Sequence, residues 1–253
     1  MNRTLQDRQV TENVFVFEGT YVNWAIIADG TDLTLVDTGW HGDIQLLERS
    51  IRLLCRRPKD VRAVLLTHAH ADHVGALNHL HDSYGIPLYM DPLEVPHARG
   101  EKVETATPID VIKHLHRPQV VRWAVSITKV GALDHFKCLA AEPFPAAGPL
   151  DLPGRPIPIP THGDTSGHIG YYLAEAGVLL SGDALITRHP TVSGTGPALV
   201  PADFSHSQPD AIRALEAYRR LDADMFVPGH GPAWYGPVCN AVDRALEQLK
   251  RPQ

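Results

Sequence analysis

The first third of the chain consists of short apolar runs separated by turn residues. Residues 14–17, 24–27 and 33–36 have the length and side-chain composition of β-strands. The dipeptide Asp29-Gly30 lies between the second and third runs, and such a pair is typical of a tight hairpin turn. Residues 44–54 then place apolar side chains at helical spacing, which predicts an amphipathic helix after the strands.

Strands and helices alternate along the rest of the pattern. Residues 61–66 form an apolar run that predicts a buried strand, and residues 72–80 have the spacing of a helix. The remaining predicted elements are strands at 87–90, 170–173, 178–181 and 225–227 and helices at 211–220 and 238–249. This alternation favours an α/β architecture built in layers over an all-β sandwich.

Residues 91–155 are less regular than the segments on either side. Apolar residues within 111–115 and 121–125 indicate short helices, and the Pro/Gly-rich stretch 140–160 is predicted to be a loop. We interpret 91–155 as a helical and loop insertion that covers a nearby site. The whole chain, 1–253, is then expected to form a single domain.

Composition narrows the class of protein. With 43% hydrophobic and 21% charged residues, the chain is typical of a globular protein and not of a disordered one. A net charge of −6 disfavours a nucleic-acid partner, because phosphate binding needs a dense basic surface. The polar start, the lack of a bilayer-length apolar run and three widely spaced cysteines lead us to expect a cytoplasmic protein with free thiols and no membrane association.

The chemistry of the chain is concentrated in the segment His68-Ala69-His70-Ala71-Asp72-His73, which directly follows the predicted strand 61–66. In an extended segment, side chains two positions apart face the same way, so His68 and His70 can hold one metal ion together. A turn after them would direct Asp72 and His73 toward a second ion. Imidazole and carboxylate groups are ligands for zinc, and also for iron or manganese.

This segment resembles the HxHxDH motif of the metallo-β-lactamase superfamily, and further segments resemble that family along nearly the whole chain. The further segments are 36–39, 161–168, 181–183 and 228–231. The resemblance implies a four-layer αββα sandwich of the α/β class, with a metal centre at one edge of the two sheets. It also implies two divalent metal ions, with zinc as the first expectation and manganese or iron as alternatives.

The resemblance assigns seven candidate metal ligands. His68 and His70 match ligands of the first ion, Asp72 and His73 match ligands of the second, and Asp183 matches the carboxylate that bridges the two. His230 matches the last ligand of the second ion, and Asp164 takes the remaining position at the first.

Asp164 departs from the family pattern, which usually has a histidine at this position. Residues 161–168 align with the family loop without a gap, so Asp164 falls on the ligand position and His168 on a histidine that is commonly not a ligand. His162 is the alternative ligand if the loop rearranges. With Asp164, three aspartates and a hydroxide would neutralise two divalent ions completely. We therefore expect a harder ion, manganese or iron, to be favoured over zinc at the first position.

The activity implied by the resemblance is hydrolysis by a hydroxide that bridges two metal ions, with Asp72 as the catalytic residue that orients it. Supporting or substrate-contacting roles are expected for Asp37, His168 and His189. Tyr21, Trp123 and Trp234 are further candidates for the pocket wall. Lactonases and related esterases of the superfamily keep a bridging aspartate in a compact chain, and Asp183 resembles that aspartate. The predicted partner is therefore a small-molecule ester, lactone or thioester.

Two alternatives to a hydrolase remain open from the sequence. One is a mononuclear iron dioxygenase that acts on a thiol or persulfide, since the superfamily includes such enzymes and they use two histidines and a carboxylate. The other is a catalytically silent protein of the same fold that binds a metal or a metabolite.

Overall fold

The computed structural model describes residues 8–192 and 194–250 of the chain. Within these ranges, the backbone forms two β-sheets that pack against each other, with helices on both outer faces. None of the described helices is long and apolar enough to span a bilayer.

The first sheet has six strands in the order of the sequence. The hairpins β1–β2–β3 are antiparallel, and β3 through β6 run parallel to one another. The predicted turn at Asp29-Gly30 is confirmed, because it joins β2 to β3 with Asp29 opposite Asp32. The six strands are β1 (Val14–Glu18), β2 (Asn23–Asp29), β3 (Asp32–Val36), β4 (Val61–Leu65), β5 (Leu88–Met90) and β6 (Ala141–Pro143).

The second sheet has five strands in the order β11-β10-β9-β8-β7. Strands β9 and β10 are parallel, and the other neighbouring pairs are antiparallel. The strands are β7 (Ile157–Pro160), β8 (Ile169–Leu173), β9 (Val178–Gly182), β10 (Met225–Pro228) and β11 (Trp234–Tyr235).

Seven α-helices flank the sheets within the described residues. The two on the first sheet are α1 (Ile44–Leu53) and α2 (Leu77–Tyr84), and the two on the second sheet are α6 (Gln208–Arg219) and α7 (Val238–Leu249). Between β5 and β6, the chain forms three short helices, α3 (Val95–Ala98), α4 (Pro108–Ile112) and α5 (Pro118–Thr128).

Alternation along the strands produces the layers. In β2, Trp24 and Ile26 face the helices on the outer side of the first sheet, whereas Ala25 and Ile27 face the second sheet. The second sheet divides in the same way, since Tyr171 lies between the sheets and the outward residues pack on α6 and α7. The predicted αββα sandwich is therefore confirmed.

Two predicted elements differ from the structure. The helix expected at 72–80 begins only at Leu77, because residues 72–76 form a turn that packs tightly on the chain near Trp40. At Gly75, a Cβ atom would lie 2.0 Å from the carbonyl carbon of Trp40, so this approach requires glycine.

The Pro/Gly-rich stretch 140–160 is also not entirely a loop, since it contains β6 and β7. Both strands lie at sheet edges, where proline is tolerated because its missing N–H removes no necessary ladder bond. The prediction of a loop was therefore wrong at Ile157–Pro160, because proline argues against a central strand but not against an edge strand.

Candidate metal centre

The candidate ligands, and the supporting residue Asp37, lie in segments that follow strands. Asp37 follows β3 and the segment 68–73 follows β4, while Asp183 follows β9 and His230 follows β10. Since β3 and β4 are parallel neighbours, and β9 and β10 are too, the carboxyl ends of each pair meet at one edge. Asp164 reaches the same edge from the loop between β7 and β8.

Glycine permits the close approach of the two loops of the second sheet. A Cβ atom at Gly229 would lie 2.1 Å from the Oδ1 atom of Asp183. The segment before His230 can therefore pass the Asp183 carboxylate only because it has no side chain at this position.

The first group of ligand atoms comprises His68, His70 and Asp164. The Nε2 atom of His68 lies 2.9 Å from the Nδ1 atom of His70. The Oδ2 atom of Asp164 lies 3.5 Å from the former and 3.6 Å from the latter. Ligands at about 2.0–2.1 Å from a tetrahedral zinc ion would be about 3.3 Å apart. The three atoms therefore have the spacing that one ion requires.

The second group comprises Asp72, His73, Asp183 and His230. The Nε2 atom of His230 lies 3.0 Å from Asp183 Oδ2 and 3.4 Å from Asp72 Oδ2. The Nε2 atom of His73 lies 3.6 Å from Asp183 Oδ1 and 4.0 Å from Asp72 Oδ2. Ligand atoms of His68, His73 and Asp183 also lie within 4.8 Å of one another, so Asp183 adjoins both groups.

The buried carboxylate of Asp37 fixes two of the imidazoles. Its Oδ2 atom accepts hydrogen bonds from the Nδ1 atom of His73, at 2.9 Å, and from the hydroxyl of Thr67, at 2.9 Å. Because the Thr67 hydroxyl donates to Asp37, its oxygen accepts the hydrogen bond of 3.0 Å from the Nδ1 atom of His68. The Nε2 lone pairs of His68 and His73 are thereby directed into the centre.

Backbone carbonyl groups fix the other two imidazoles. The Nε2–H of His70 donates to the carbonyl of Glu104 at 2.7 Å, and the Nδ1–H of His230 donates to that of Tyr21 at 2.6 Å. Asp37 and Tyr21 both have positive φ angles, of 60° and 63°. Such strain in non-glycine residues is typical of functional sites, and here it lies at two residues that orient candidate ligands.

The resulting set of donors fits metal ions. When the inward nitrogens carry no proton, all four imidazoles direct a lone pair inward, and three carboxylates face them. Both Asp164 oxygens, Asp183 Oδ1 and His73 Nε2 are buried and have no hydrogen-bond partner among the described residues. Buried acceptors without donors are costly, and cations between the two groups would satisfy them.

The pKa values reflect the same excess of negative charge. Burial and the neighbouring Asp183 raise the pKa of Asp164 well above its usual range. Burial alone would lower the pKa of His73, but Asp37, Asp72 and Asp183 outweigh it and raise the pKa to about 10. Burial likewise opposes the effect of Asp183 and Asp72 on His230, whose pKa rises to about 9. When no metal ion is bound, protons on these side chains neutralise the negative charge of the cluster.

His168 is used in the backbone and not at the centre. Its Nε2 atom accepts the N–H of Asp183 at 3.0 Å, so its Nδ1–H donates to Thr161, at 3.0 Å. The Thr161 hydroxyl then donates to Tyr218 and Tyr218 donates to the carbonyl of Ser181, at 3.1 and 2.9 Å. Burial lowers the pKa of His168 to about 4, in keeping with a neutral ring. This chain of hydrogen bonds holds the backbone around Asp183.

His162, the alternative to Asp164, points elsewhere. Its Nε2 atom lies 3.5 Å from the carboxylate of Asp91, and 39% of its side chain is exposed. Asp164 instead is only 2% exposed and faces His68 and His70.

Glu94 is a buried residue that the sequence analysis missed. Its Oε1 atom accepts hydrogen bonds from the Ala69 N–H, at 2.7 Å, and from His97, at 2.9 Å. Its Oε2 atom accepts from the Thr165 hydroxyl, at 2.7 Å, and from the Gly167 N–H, at 3.1 Å. Glu94 therefore joins the loop of His68 and His70 to the loop of Asp164. Nothing in the local sequence distinguishes this glutamate from a surface residue.

The residues expected to line the pocket do not all lie beside the candidate ligands. Trp123 and His189 line a cavity beside the candidate ligands. Tyr21 contributes its carbonyl group to His230, as described above. The expectation for Trp234 is wrong, because this residue lies on the edge strand β11, where Arg244 stacks over its ring.

The chain resembles known proteins along most of its length. The family model described as metallo-beta-lactamase superfamily matches residues 18–230. The chain is 27% identical over 184 residues to a probable metallo-hydrolase, YflN, of Bacillus subtilis, covering 68% of this chain and 64% of that protein. The match thus spans a little under two thirds of that relative. An uncharacterized protein, YobT, of the same organism is 24% identical, with 91% of each chain covered.

Solved structures share the fold. The metallo-beta-lactamase family protein TTHA1429 of Thermus thermophilus aligns with a TM-score of 0.64 and 22% identity, over 96% of this chain and 80% of that one. TTHA1623, solved in a di-iron-bound form, aligns with a TM-score of 0.58 and 23% identity over 87% and 92%. A B3 metallo-beta-lactamase described as the first with an active-site glutamic acid aligns with a TM-score of 0.63 and 18% identity over 96% and 88%.

Proposed function

The chain belongs to the metallo-β-lactamase superfamily, and from this premise we propose that it is a hydrolase that uses two divalent metal ions to cleave a small ester, lactone or thioester. One observation carries the proposal: seven buried or half-buried side chains direct acceptor atoms into two adjoining groups, and several of these atoms have no donor. A protein that had lost its metals would not be expected to keep such a costly arrangement.

The residues divide between two ions. His68, His70 and Asp164 would hold the first, Asp72, His73 and His230 the second, and Asp183 would contact both. Such ions would supply Lewis acidity for the substrate carbonyl and lower the pKa of a bound water molecule.

Ion identity is part of the proposal. We favour zinc at the second position, and zinc, manganese or iron at the first, where Asp164 suits a harder ion. One protein of the same fold is described as having an active-site glutamic acid and another was solved in a di-iron-bound form, so both a carboxylate in the site and iron occur within this fold.

Asp72 is the residue proposed to move the proton. It lines the cavity, and 17% of its side chain is exposed, so a substrate and a water molecule can reach it. Its carboxylate would orient the attacking water, accept its proton and return that proton to the leaving group.

His189 is proposed to contact the substrate. The N–H of Thr191 donates to its Nδ1 atom at 3.3 Å, so the proton of the neutral ring is on Nε2. Burial lowers the pKa of His189 to about 3, which keeps the ring neutral. Nε2 has no hydrogen-bond partner among the described residues, and the ring lines the cavity next to His230. This N–H would donate to an oxygen of the substrate.

The test is turnover of neutral esters, lactones and thioesters by protein loaded with zinc, manganese or ferrous iron. We expect hydrolysis by the wild type and a loss of at least about 100-fold in Asp72→Asn, the usual contribution of a general base. The control is Asp82→Asn, an exposed aspartate on α2, which should retain full activity. A fully metallated protein that hydrolyses none of these substrates would refute the proposal.

A second candidate rests on the first group alone. His68, His70 and Asp164 form a set of two histidines and one carboxylate, which is the ligand set of mononuclear iron oxygenases. Under this candidate, the iron-loaded protein would consume oxygen with a thiol or persulfide. The assembled second group favours the hydrolase, because an oxygenase of this type would not need it.

A further inference from the structure

A cavity of about 350 Å³ opens beside the candidate metal centre. Ligand pockets in proteins have volumes of about 300–1,000 Å³, so this cavity can hold a small molecule. The floor of the cavity is formed by candidate metal ligands. They are His70, Asp72, Asp164, Asp183 and His230.

The rest of the lining is mainly apolar, and its polar residues are Thr105, Thr107, Thr128 and His189. Helix α4 and the turn after it contribute Val111, Ile112 and Leu115, and α5 contributes Trp123 and Ile127. Further apolar residues of the wall are Ala132, Leu133, Val200 and Phe204. A molecule bound with one end at the candidate ligands would therefore have its remainder against mainly apolar, uncharged side chains.

Charge limits what the remainder of the molecule can be. No lysine or arginine is among the described residues that line the cavity. The nearby Lys113 pairs with Asp110 and Asp203, and Arg117 donates to the carbonyl of Thr191. A phosphate or carboxylate on the far part of a substrate would be buried here without a cationic partner, which is unfavourable.

We propose that the site accepts substrates in which the cleaved carbonyl carries an uncharged aliphatic chain, and that this chain lies along the wall formed by α4 and α5. The inference rests on the proposed function and specifies its substrate class. Several wall residues are exposed in the structure: Ile112 by 60%, Leu115 by 40% and Leu133 by 70%. An aliphatic chain would cover this apolar surface at the mouth of the cavity and gain from its burial.

Binding of straight-chain alkanoates, the acids that such substrates would release, tests the inference without turnover. Titration calorimetry on zinc-loaded protein should show affinity rising about twofold to fourfold per methylene from butanoate until the chain outgrows the cavity. Decanedioate, which adds a charge at the far end, should bind at least about tenfold more weakly than decanoate. Equal affinities along the series, or equal binding of decanedioate, would overturn the inference.

Variants at the mouth provide a second measurement. Ile112 and Leu133 are both well exposed, so Ile112→Ser combined with Leu133→Ser should leave the fold intact. This variant should bind decanoate about tenfold more weakly and acetate equally well. The control is Val121→Ser, because Val121 is 43% exposed on α5 and is not part of the wall. Equal loss in the control, or no loss in the double variant, would contradict the placement of the chain.

Failure of the inference and failure of the proposed function give different results. Alkanoate affinity that rises with length in a protein without ester turnover would keep the aliphatic ligand and refute the hydrolase. Ester turnover with no dependence on chain length, in binding or in KM, would keep the hydrolase and refute the aliphatic substrate.

Discussion

Asp37 controls the tautomers of two candidate ligands, although it is not itself a candidate metal ligand. Its carboxylate accepts hydrogen bonds from His73 and from the backbone N–H and the hydroxyl of Thr67. The hydroxyl oxygen of Thr67 in turn accepts a hydrogen bond from His68. An asparagine at this position would turn an N–H group toward groups that themselves donate hydrogen bonds.

Asp37→Asn is therefore expected to weaken metal binding. Loss of such a supporting hydrogen bond typically lowers metal affinity by about 10- to 100-fold, and competition with a chromogenic chelator would measure it. Asp32→Asn is the matched control, because Asp32 begins the strand that leads to Asp37 but forms an exposed ion pair with Arg62. Unchanged affinity in Asp37→Asn would show that Asp37 does not orient the ligands.

Asp164 is the residue that distinguishes this centre from the family pattern. Because it faces His68 and His70, Asp164→Ala should lose the ion at the first position and retain the ion at the second. His162→Ala should retain both, since His162 faces Asp91. Elemental analysis of the purified variants measures the difference. Loss of an ion in His162→Ala but not in Asp164→Ala would reverse the assignment.

Sequence indicated the candidate ligands because each lies within a short motif, whose residues are neighbours in the chain. Among the supporting residues, Asp37 and His168 also lie within such motifs, but Glu94 and Tyr218 do not. Glu94 reaches Gly167 across 73 positions, and Thr161 reaches Tyr218 across 57. Their roles depend on which loops the fold brings together, and a single sequence does not encode that in any local spacing.

At the scale of elements, the loop that carries Glu94 clamps two ligand loops. Glu94 accepts four hydrogen bonds in a buried position, and those from His97 and Thr165 help to hold its pKa below the usual range despite burial, which raises it. The segment 91–155 thus contributes to the centre as well as to the cavity wall.

Glu94→Gln should destabilise the metal-free protein. The amide would turn a donor toward other donors, and the free energy of unfolding should fall by about 2–4 kcal/mol in urea titrations. Glu101→Gln, at an exposed position of the same segment, should change it by less than about 0.5 kcal/mol. Equal stability of Glu94→Gln and wild type would show that the clamp is not needed for folding.

The elements themselves were predicted where burial determines the pattern. Central strands such as β4 and β9 are mainly apolar and buried, and α1 and α7 have clear helical spacing. The edge strands β6 and β7 were missed because proline and partial exposure remove that pattern. The late start of α2 was missed because the turn at 72–76 is fixed by contact with Trp40, which lies far away in the sequence.

At the scale of the whole molecule, the two sheets bring ligands from distant segments to one edge and create a cluster that is neutralised either by protons or by cations. The raised pKa values of His73 and His230, about 10 and about 9, mean that these rings hold protons in the metal-free protein at neutral pH. Metal-bound imidazole holds no proton on the ligand atom, so binding of the second ion, which both rings would hold, releases protons.

Metal affinity should consequently rise with pH from about 6 to about 9, below the pKa values of both rings. Competition titrations at several pH values give the slope, and calorimetry in buffers of different ionisation enthalpy gives the number of protons released. An affinity that is independent of pH over this range would mean that the cluster is not protonated in the metal-free state.

The central claim is that this edge of the sandwich holds two metal ions. Anomalous diffraction from crystals of metal-loaded protein tests it most directly. We expect two peaks, one between His68, His70 and Asp164 and one between Asp72, His73 and His230, with Asp183 between them. A single peak, or peaks away from these residues, would contradict it.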